Sequence, residues 1–208
     1  MILGLGGFAE AGKDAFAERL ETKHGWVRCG CSSGLEKALL ILNPWVPVCH
    51  AFADGKFLGE DFTDGRYGME RYQDLHARIG YAASKENPEV RRLFQTLGTD
   101  VGRNLLGNER IWIDWLFKNV VQPARIEQKN VVITGVRYPQ ELDAIHYHSG
   151  WDLWIQRGDK GPLNDHSSEH SLGIDDFSGV FRNDGTLDDL NKSVDDWWDE
   201  LQKFGGVK

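Results

Sequence analysis

Cysteine is scarce in this sequence: Cys29, Cys31 and Cys49 are the only three among 208 residues. So sparse and odd a set excludes a disulfide-stapled framework, and Cys29-x-Cys31 has no second pair to complete a structural zinc site. Nowhere do apolar residues run for the ~20 positions that a membrane-crossing helix needs. The apolar opening, Met1 to Gly7, lacks a basic leader and meets Glu10 too early for a secretory signal. Basic residues are outnumbered as well. Lys and Arg total 24 against 32 Asp and Glu, a formal charge of −8, which argues against a surface that tracks nucleic-acid polymers. The expectation is a soluble chain in a reducing cytoplasm, with neither a membrane nor a nucleic-acid polymer as partner. Internal repeats and low-complexity tracts are also absent.

What is present suits an α/β domain. A hydrophobic fraction of 40% supplies a core, and the length fits one domain, 1–208, with a mobile appendage. Ile2, Leu3 and Leu5, closed by Gly6-Gly7, read as a buried parallel strand. Phe16, Ala17 and Leu20 share a helix face that Gly25 ends, and Trp26–Cys29 forms the next strand. Ser33-Gly34-Leu35-Glu36 opens a short helix to Leu42, stopped by Pro44 and Pro47. Residues 50–68, rich in Gly and Asp, read as an exposed loop. Asn87-Pro88 starts a helix whose apolar face carries Val90, Leu93, Phe94, Leu97, Val101 and Leu105, and Gly107-Asn108 stops it. A second amphipathic stretch runs from Arg110 to about Ile126. Val131–Thr134 is a β-branched strand, Pro139 opens another helix, and Trp151–Ile155 and Gly179–Phe181 are strand-like. Leu187–Phe204 makes the last helix. Strands alternating with helices predict an α/β fold, a parallel sheet with helices on both faces.

The densest chemical signal is Gly7-Phe8-Ala9-Glu10-Ala11-Gly12-Lys13-Asp14, set between a strand and a helix. Backbone N–H groups at Gly7, Ala9, Ala11 and Gly12 suit a phosphate cradle, because glycines leave the approach open. The following helix N-terminus favours anions, and Lys13 reaches β- and γ-phosphates. Asp14 stands where such loops usually place a magnesium-binding Ser or Thr, and its carboxylate suits the ion or a helix cap. An ordinary glycine-rich turn with an exposed lysine is the alternative. Val131–Thr134 leads through Gly135-Val136 to Arg137, which places a guanidinium at the carboxyl edge of the sheet, where open α/β folds bind ligands. Its planar fork suits a phosphate; a salt bridge to Glu141 is the competing reading. Arg92, Gln95, Thr99 and Arg103 recur at three- and four-residue spacing, a polar stripe that suits either a nucleotide pocket or a solvated helix face.

These pieces resemble the phage-type deoxynucleoside monophosphate kinases, relatives of the adenylate-kinase group and of dephospho-coenzyme A kinase. The resemblance rests on Gly7–Asp14, Pro88–Arg103, Gly135–Glu141, His166–Glu169 and Asn183–Leu187, and so covers nearly the whole chain. It implies a P-loop NTPase-type fold with a helical substrate-binding part, about 30–126, and a lid at about 157–173. It implies ATP as donor, Mg2+ as cofactor and a (deoxy)nucleoside monophosphate as acceptor, in the cytoplasm (the host's, for a phage-encoded protein). A homodimer stays open. It also implies Arg137 as ligand of the acceptor phosphate, the Gln95–Arg103 helix as substrate wall, and the Asn183–Gly185 loop beside the adenine. The family tolerates Asp after the loop lysine, which leaves Asp14 as the metal residue. Where such kinases usually read Asp-Val-Arg, this chain has Gly135-Val136-Arg137, so a strand-end carboxylate is missing. A kinase for another small phosphorylated or alcohol acceptor, or a nucleotide-binding module with little turnover, are the alternatives.

In that setting the polar 157–173 segment reads as a lid that excludes water, with Arg157 and Lys160 stabilising charge on the transferring group. His166-Ser167-Ser168-Glu169-His170 has the spacing of an inverted zinc-protease motif, but its Gly, Pro and Asn neighbours favour a loop. The eight tryptophans read as packing residues, because no basic tract accompanies them.

Overall fold

The computed structural model describes residues 1–49, 52–53, 56–57, 67–158, 161 and 170–203. These form two units, one of Met1–Ser33 with Arg110–Lys208 and one of Gly34–Glu109. The sequence suggested one domain with its helical part at about 30–126. The helices between residues 110 and 126 instead belong to the first unit.

In chain order, the first unit opens with β1 (Ile2–Gly6), α1 (Lys13–His24) and β2 (Val27–Gly30). After the second unit it resumes at Ile111. To follow the chain, the second unit comes first: α2 (Ser33–Leu42), β3 (Trp45–Cys49), β4 (Phe52–Ala53), β5 (Lys56–Phe57), β6 (Tyr67–Arg71), α3 (Tyr72–Ser84) and α4 (Pro88–Gln95). A π-helix, Thr96–Leu105, continues α4. Asn87 caps α4 as its sequence foretells: Oδ1 accepts from the backbone of Glu89 at 3.0 Å and Val90 at 3.3 Å. β3 and β6 pair antiparallel with Pro47 opposite Met69. Pro47 therefore lies inside a strand rather than ending a helix, which a two-stranded ribbon tolerates because one edge needs no donor. The expected 50–68 loop falls mostly outside the described residues; within it, β4 and β5 pair antiparallel. Val46, Tyr72, Leu75, Val90 and Phe94 form the buried interior of this unit.

The expected single helix over 88–105 is corrected to an α-helix followed by wider turns. Gly98, Thr99 and Gly102 are weak α-formers, so little opposes the widening. Gly98 also presses against α2: a Cβ there would lie 2.9 Å from Leu35 Cδ2.

The first unit continues with α5 (Ile111–Leu116), a π-helical turn (Phe117–Val121), α6 (Gln122–Ile126), β7 (Val131–Thr134), α7 (Pro139–Tyr147), β8 (Trp151–Gln156), a 3-10 turn (Ile174–Asp176), β9 (Val180–Arg182) and α8 (Leu187–Lys203). The π turn precedes Pro123, which has no N–H to bond the Asn119 carbonyl in α fashion. Five parallel strands stand in the order β2-β7-β1-β8-β9. Their apolar runs are covered on both faces. Ile2, Val131 and Ile133 pack with Ile113, Leu116 and Ile145 of α5 and α7. Leu3, Leu5, Val132 and Ile155 pack with Phe16 and Leu20 of α1 and with Val194 and Trp198 of α8. Each such side chain contributes about 1.5–3 kcal/mol on burial. The sandwich holds the carboxyl ends of β1, β7, β8 and β9 as one edge, and the candidate site is built there.

Candidate active site

β1 ends at Gly6, and residues 7–12 turn the chain into α1. Gly7 has φ 131° and Gly12 φ 101°, a region that L side chains rarely adopt. Space forbids side chains as well: a Cβ on Gly7 would lie 2.4 Å from the Ile155 carbonyl oxygen, and one on Gly12 2.3 Å from Asn183 Nδ2. No side chain caps α1, so the positive end of its dipole faces the loop, the arrangement that holds phosphate. Lys13 opens the helix and is only 8% exposed. Its ammonium donates to the carbonyls of Gly7 at 2.8 Å and Phe8 at 2.5 Å. The lysine thus rests folded over its own loop, with its charge already aimed at the cradle. Asp14 is exposed in the first turn of α1, and its carbonyl accepts from Arg28 Nη1 at 3.3 Å.

Beyond β7, the Val136 N–H donates to the Leu5 carbonyl at 3.2 Å, so the Gly135–Arg137 turn lies beside the end of β1. Glu141 is 4% exposed. Its Oε2 accepts from the backbone N–H of Arg137 at 2.7 Å and of Tyr138 at 3.2 Å. Reaching back over the start of α7, this carboxylate fixes the backbone that carries the Arg137 guanidinium.

On the other side of β1, the Asn183 N–H donates to the Gln156 carbonyl at 2.8 Å, joining the ends of β8 and β9. Its side chain is buried, and Nδ2 donates to the Ala11 carbonyl of the phosphate loop at 2.8 Å. Asp184 Oδ1 accepts from the Gly158 N–H at 2.6 Å. Arg157 Nη2 reaches the Gly185 carbonyl at 3.5 Å. Thr186 and Asp189 then cap α8 reciprocally: Asp189 Oδ2 accepts from Thr186 N at 2.9 Å, and Asp189 N donates to Thr186 Oγ1 at 3.2 Å. Hydrogen bonds from the Thr186 hydroxyl and backbone N–H hold the Asp189 carboxyl below its ordinary range. An aromatic chain runs alongside. The Phe8 ring meets Trp154 edge-on at 5.1 Å, and Trp154 meets Phe177 at 5.3 Å.

The structure therefore brings together, in the first unit, the glycine-rich loop from Gly7 through Ala9, Ala11 and Gly12 to Lys13 and Asp14, with Arg137, Arg157, Asn183 and Gly185. Arg92, Gln95, Thr99 and Arg103 belong to the second unit. There Arg92 forks onto the Glu89 carboxylate at 2.8 and 2.7 Å, Gln95 is exposed, and Thr99 and Arg103 are half-buried. Thr99 and Arg103 lie on the π-helix, where a four-residue step no longer closes a turn, so the stripe is less straight than α spacing predicts. Of the expected lid, Lys160 and His166–Glu169 lie outside the described residues. Among the described residues no group of three or more His, Cys, Asp or Glu is placed to hold a metal ion. Sequence reasoning missed the grip of Asn183 on Ala11 and the backbone role of Glu141. A glycine at position 12 was the only trace of the first.

Residues 33–194 match the deoxynucleotide monophosphate kinase family. The matched range begins after the phosphate loop and includes Arg137, Arg157 and the Asn183–Gly185 loop. The chain is 26% identical over 106 residues to the deoxynucleotide monophosphate kinase of Escherichia phage RB69, a match covering 51% of this chain and 43% of that protein. Less than half the length of that relative is therefore spanned. Among solved structures, dephospho-CoA kinase from Campylobacter jejuni aligns with a TM-score of 0.45 at 11% identity, covering 96% of each chain. Shikimate kinase from Aquifex aeolicus VF5 aligns at 0.39 and 10% identity, covering 93% of this chain and 94% of that one. The parallel-sheet α/β fold is read from the strand order itself and owes nothing to these distant likenesses. With well over half its length matched by the family's pattern, the chain belongs to the deoxynucleotide monophosphate kinase family.

Proposed function

We propose that the protein is a cytoplasmic nucleoside monophosphate kinase that transfers the γ-phosphoryl group of ATP to a (deoxy)nucleoside monophosphate. The observation that carries this reading is the phosphate loop at the carboxyl end of β1, with Lys13 buried at the start of α1. A phosphate oxygen of the acceptor attacks the γ-phosphorus while the bond to the ADP oxygen breaks and its electron pair leaves with ADP. Catalysis of this kind is positioning and charge stabilisation, without a covalent intermediate. Lys13 exchanges its resting bonds to Gly7 and Phe8 for the β- and γ-phosphate oxygens. The N–H groups at Gly7, Ala9, Ala11 and Gly12 hold the phosphate chain, Arg137 takes the acceptor phosphate, and Arg157 adds charge near the transferring group. Arg92, Gln95, Thr99 and Arg103 bind the acceptor nucleotide.

Mg2+ fits as a cofactor in a limited way. Asp14 is a single exposed carboxylate one residue beyond Lys13, so the ion's other ligands would be phosphate oxygens and water. When bound, it supplies charge neutralisation on the phosphates.

The test is ADP release from ATP with Mg2+ over a panel of ribo- and deoxyribonucleoside monophosphates. Release that depends on one or more of these acceptors is the expected result. Release only with other small phosphorylated or alcohol acceptors, or ATP binding without turnover, would overturn the reading.

A further inference from the structure

The geometry points to Asn183 as a positioning residue that holds the phosphate loop in its anion-binding shape through the Ala11 carbonyl, without itself touching the nucleotide. The role rests on the kinase reading above and deepens it. Asn183 is 3% exposed, and its carboxamide bridges 172 positions of sequence to reach the loop at 2.8 Å. The amide orientation follows from its partner: with Nδ2 and Oδ1 exchanged, two oxygens would face each other at that distance. Oδ1 is buried and meets no hydrogen-bond partner among the described residues. A buried carboxamide with one acceptor unmet is costly to keep, and the contact it does make is to the phosphate loop.

Its own placement is rigid. The backbone N–H is tied to Gln156, and three residues later the Thr186–Asp189 cap begins α8. That helix packs Leu190 and Val194 on the face that carries Phe16 and Leu20 of α1. The strut therefore runs from the sheet edge and α8, through Asn183, to the turn that sets Gly12 and Lys13. Gly12 is part of the same device. A Cβ there would lie 2.3 Å from Nδ2, so the glycine leaves room for the amide as well as supplying the positive φ. The next two residues serve the neighbouring strand end, where Asp184 holds Gly158 and Gly185 meets Arg157.

A residue that reads adenine and one that shapes the phosphate loop respond differently when removed. Calorimetry with ATP, inorganic tripolyphosphate and adenosine separates them, using wild type, Asn183→Ala and Asn183→Asp, which keeps the size but replaces the donor with an acceptor. Losing one such hydrogen bond corresponds to roughly five- to tenfold. Tripolyphosphate and ATP affinity should fall by about that factor in both variants, with adenosine affinity unchanged. In turnover, kcat should fall while KM for the monophosphate holds. Equal weakening of adenosine and ATP would make Asn183 an adenine contact and overturn the proposal, as would unchanged tripolyphosphate affinity. If Asn183→Ala proves too unstable to purify, Asn183→Ser, which shortens the donor without removing it, gives the same comparison. A wild-type protein that binds neither ATP nor tripolyphosphate would overturn the kinase reading itself. A wild type that binds both, with variants that lose adenosine, overturns only the role of Asn183.

Discussion

Lys13 shows how a single side chain can be poised without being strained. Its ammonium is buried against two carbonyls of its own loop, contacts that incoming phosphate oxygens can replace with stronger charge-assisted ones. Lys13→Ala should lower kcat about 100-fold or more, the scale on which a preorganised charge on a developing anion acts. Because the loop carbonyls lose their donor, a destabilisation of about 1 kcal/mol should accompany it. Single-turnover phosphoryl transfer and a melting curve read the two effects separately; a folded variant with near-normal turnover would refute the phosphate loop's role. Arg137 offers a sharper contrast. Glu141 already holds its backbone, so Arg137→Lys changes only the head group. A point charge cannot reproduce two parallel hydrogen bonds. KM for the monophosphate should rise about tenfold or more while ATP-analogue affinity stays within about twofold, measured by initial rates and equilibrium titration. Equal losses for both ligands would remove Arg137 from the acceptor phosphate. The placement of the loop between β1 and α1, and of Arg137 just after β7, was legible in the sequence because each is a short local pattern. The Asn183–Ala11 bond was not, since no local rule pairs residues so far apart.

At the scale of elements, α1 and α8 are joined over the sheet by one carboxylate. Asp195 accepts from Arg19 at 3.0 and 2.6 Å, from Lys23 at 2.6 Å, and lies 2.8 Å from His24 Nε2. Chiefly through the Arg19 hydrogen bonds, its carboxyl is held far below the ordinary carboxylate range. A depressed folded-state value means stability that is present above the unfolded value, ~4, and lost as pH falls below it. The Lys23 arm is half exposed and adds little. Asp195→Asn should therefore lower the melting midpoint at neutral pH by about 2–4 °C, as expected for a loss of ~1 kcal/mol. It should also flatten the decline in midpoint between about pH 4 and pH 2. Parallel melts across that range decide it, and identical slopes for variant and wild type would show that Asp195 does not carry the acid dependence. Which elements the sequence foretold follows the same division between local and distant signals. The Ser33–Leu42 helix, the Asn87 cap and β7 announce themselves within a few residues. The β3–β6 ribbon pairs strands about twenty residues apart, with a proline inside one of them, so no hairpin signal survives. α3 was unread because Gly80, at φ 80° and ψ 170°, interrupts its helical pattern. The π turns escaped because widening by one residue per turn leaves the apolar pattern almost unchanged over a short span.

Across the whole chain, the candidate residues divide between the two units. The phosphate loop, Arg157 and the Asn183–Gly185 loop belong to the unit with the parallel sheet, whereas Gln95, Thr99 and Arg103 belong to the helical one. The alternation of strands and helices made the sheet readable in advance. The helical unit's extent was not, because the Gly- and Ser-rich stretch 30–34 at its start also reads as the cap of the Ser33–Leu42 helix, and Glu109 falls between two helical stretches. If the helical stripe reads the acceptor's base, changes there should alter which monophosphate is preferred and leave the donor side alone. Gln95 is exposed, so Gln95→Ala tests this without disturbing the core. One lost hydrogen bond to a base edge corresponds to roughly five- to tenfold in kcat/KM. That loss should fall on the monophosphates whose edge the amide can bond and spare the others, because an amide both donates and accepts. KM for ATP should stay within about twofold. Measured over the four deoxynucleoside monophosphates, the variant should therefore reorder the wild-type preference rather than scale it. A uniform fall across all four, or a matching rise in KM for ATP, would place Gln95 on a solvated helix face and move base recognition elsewhere in the chain.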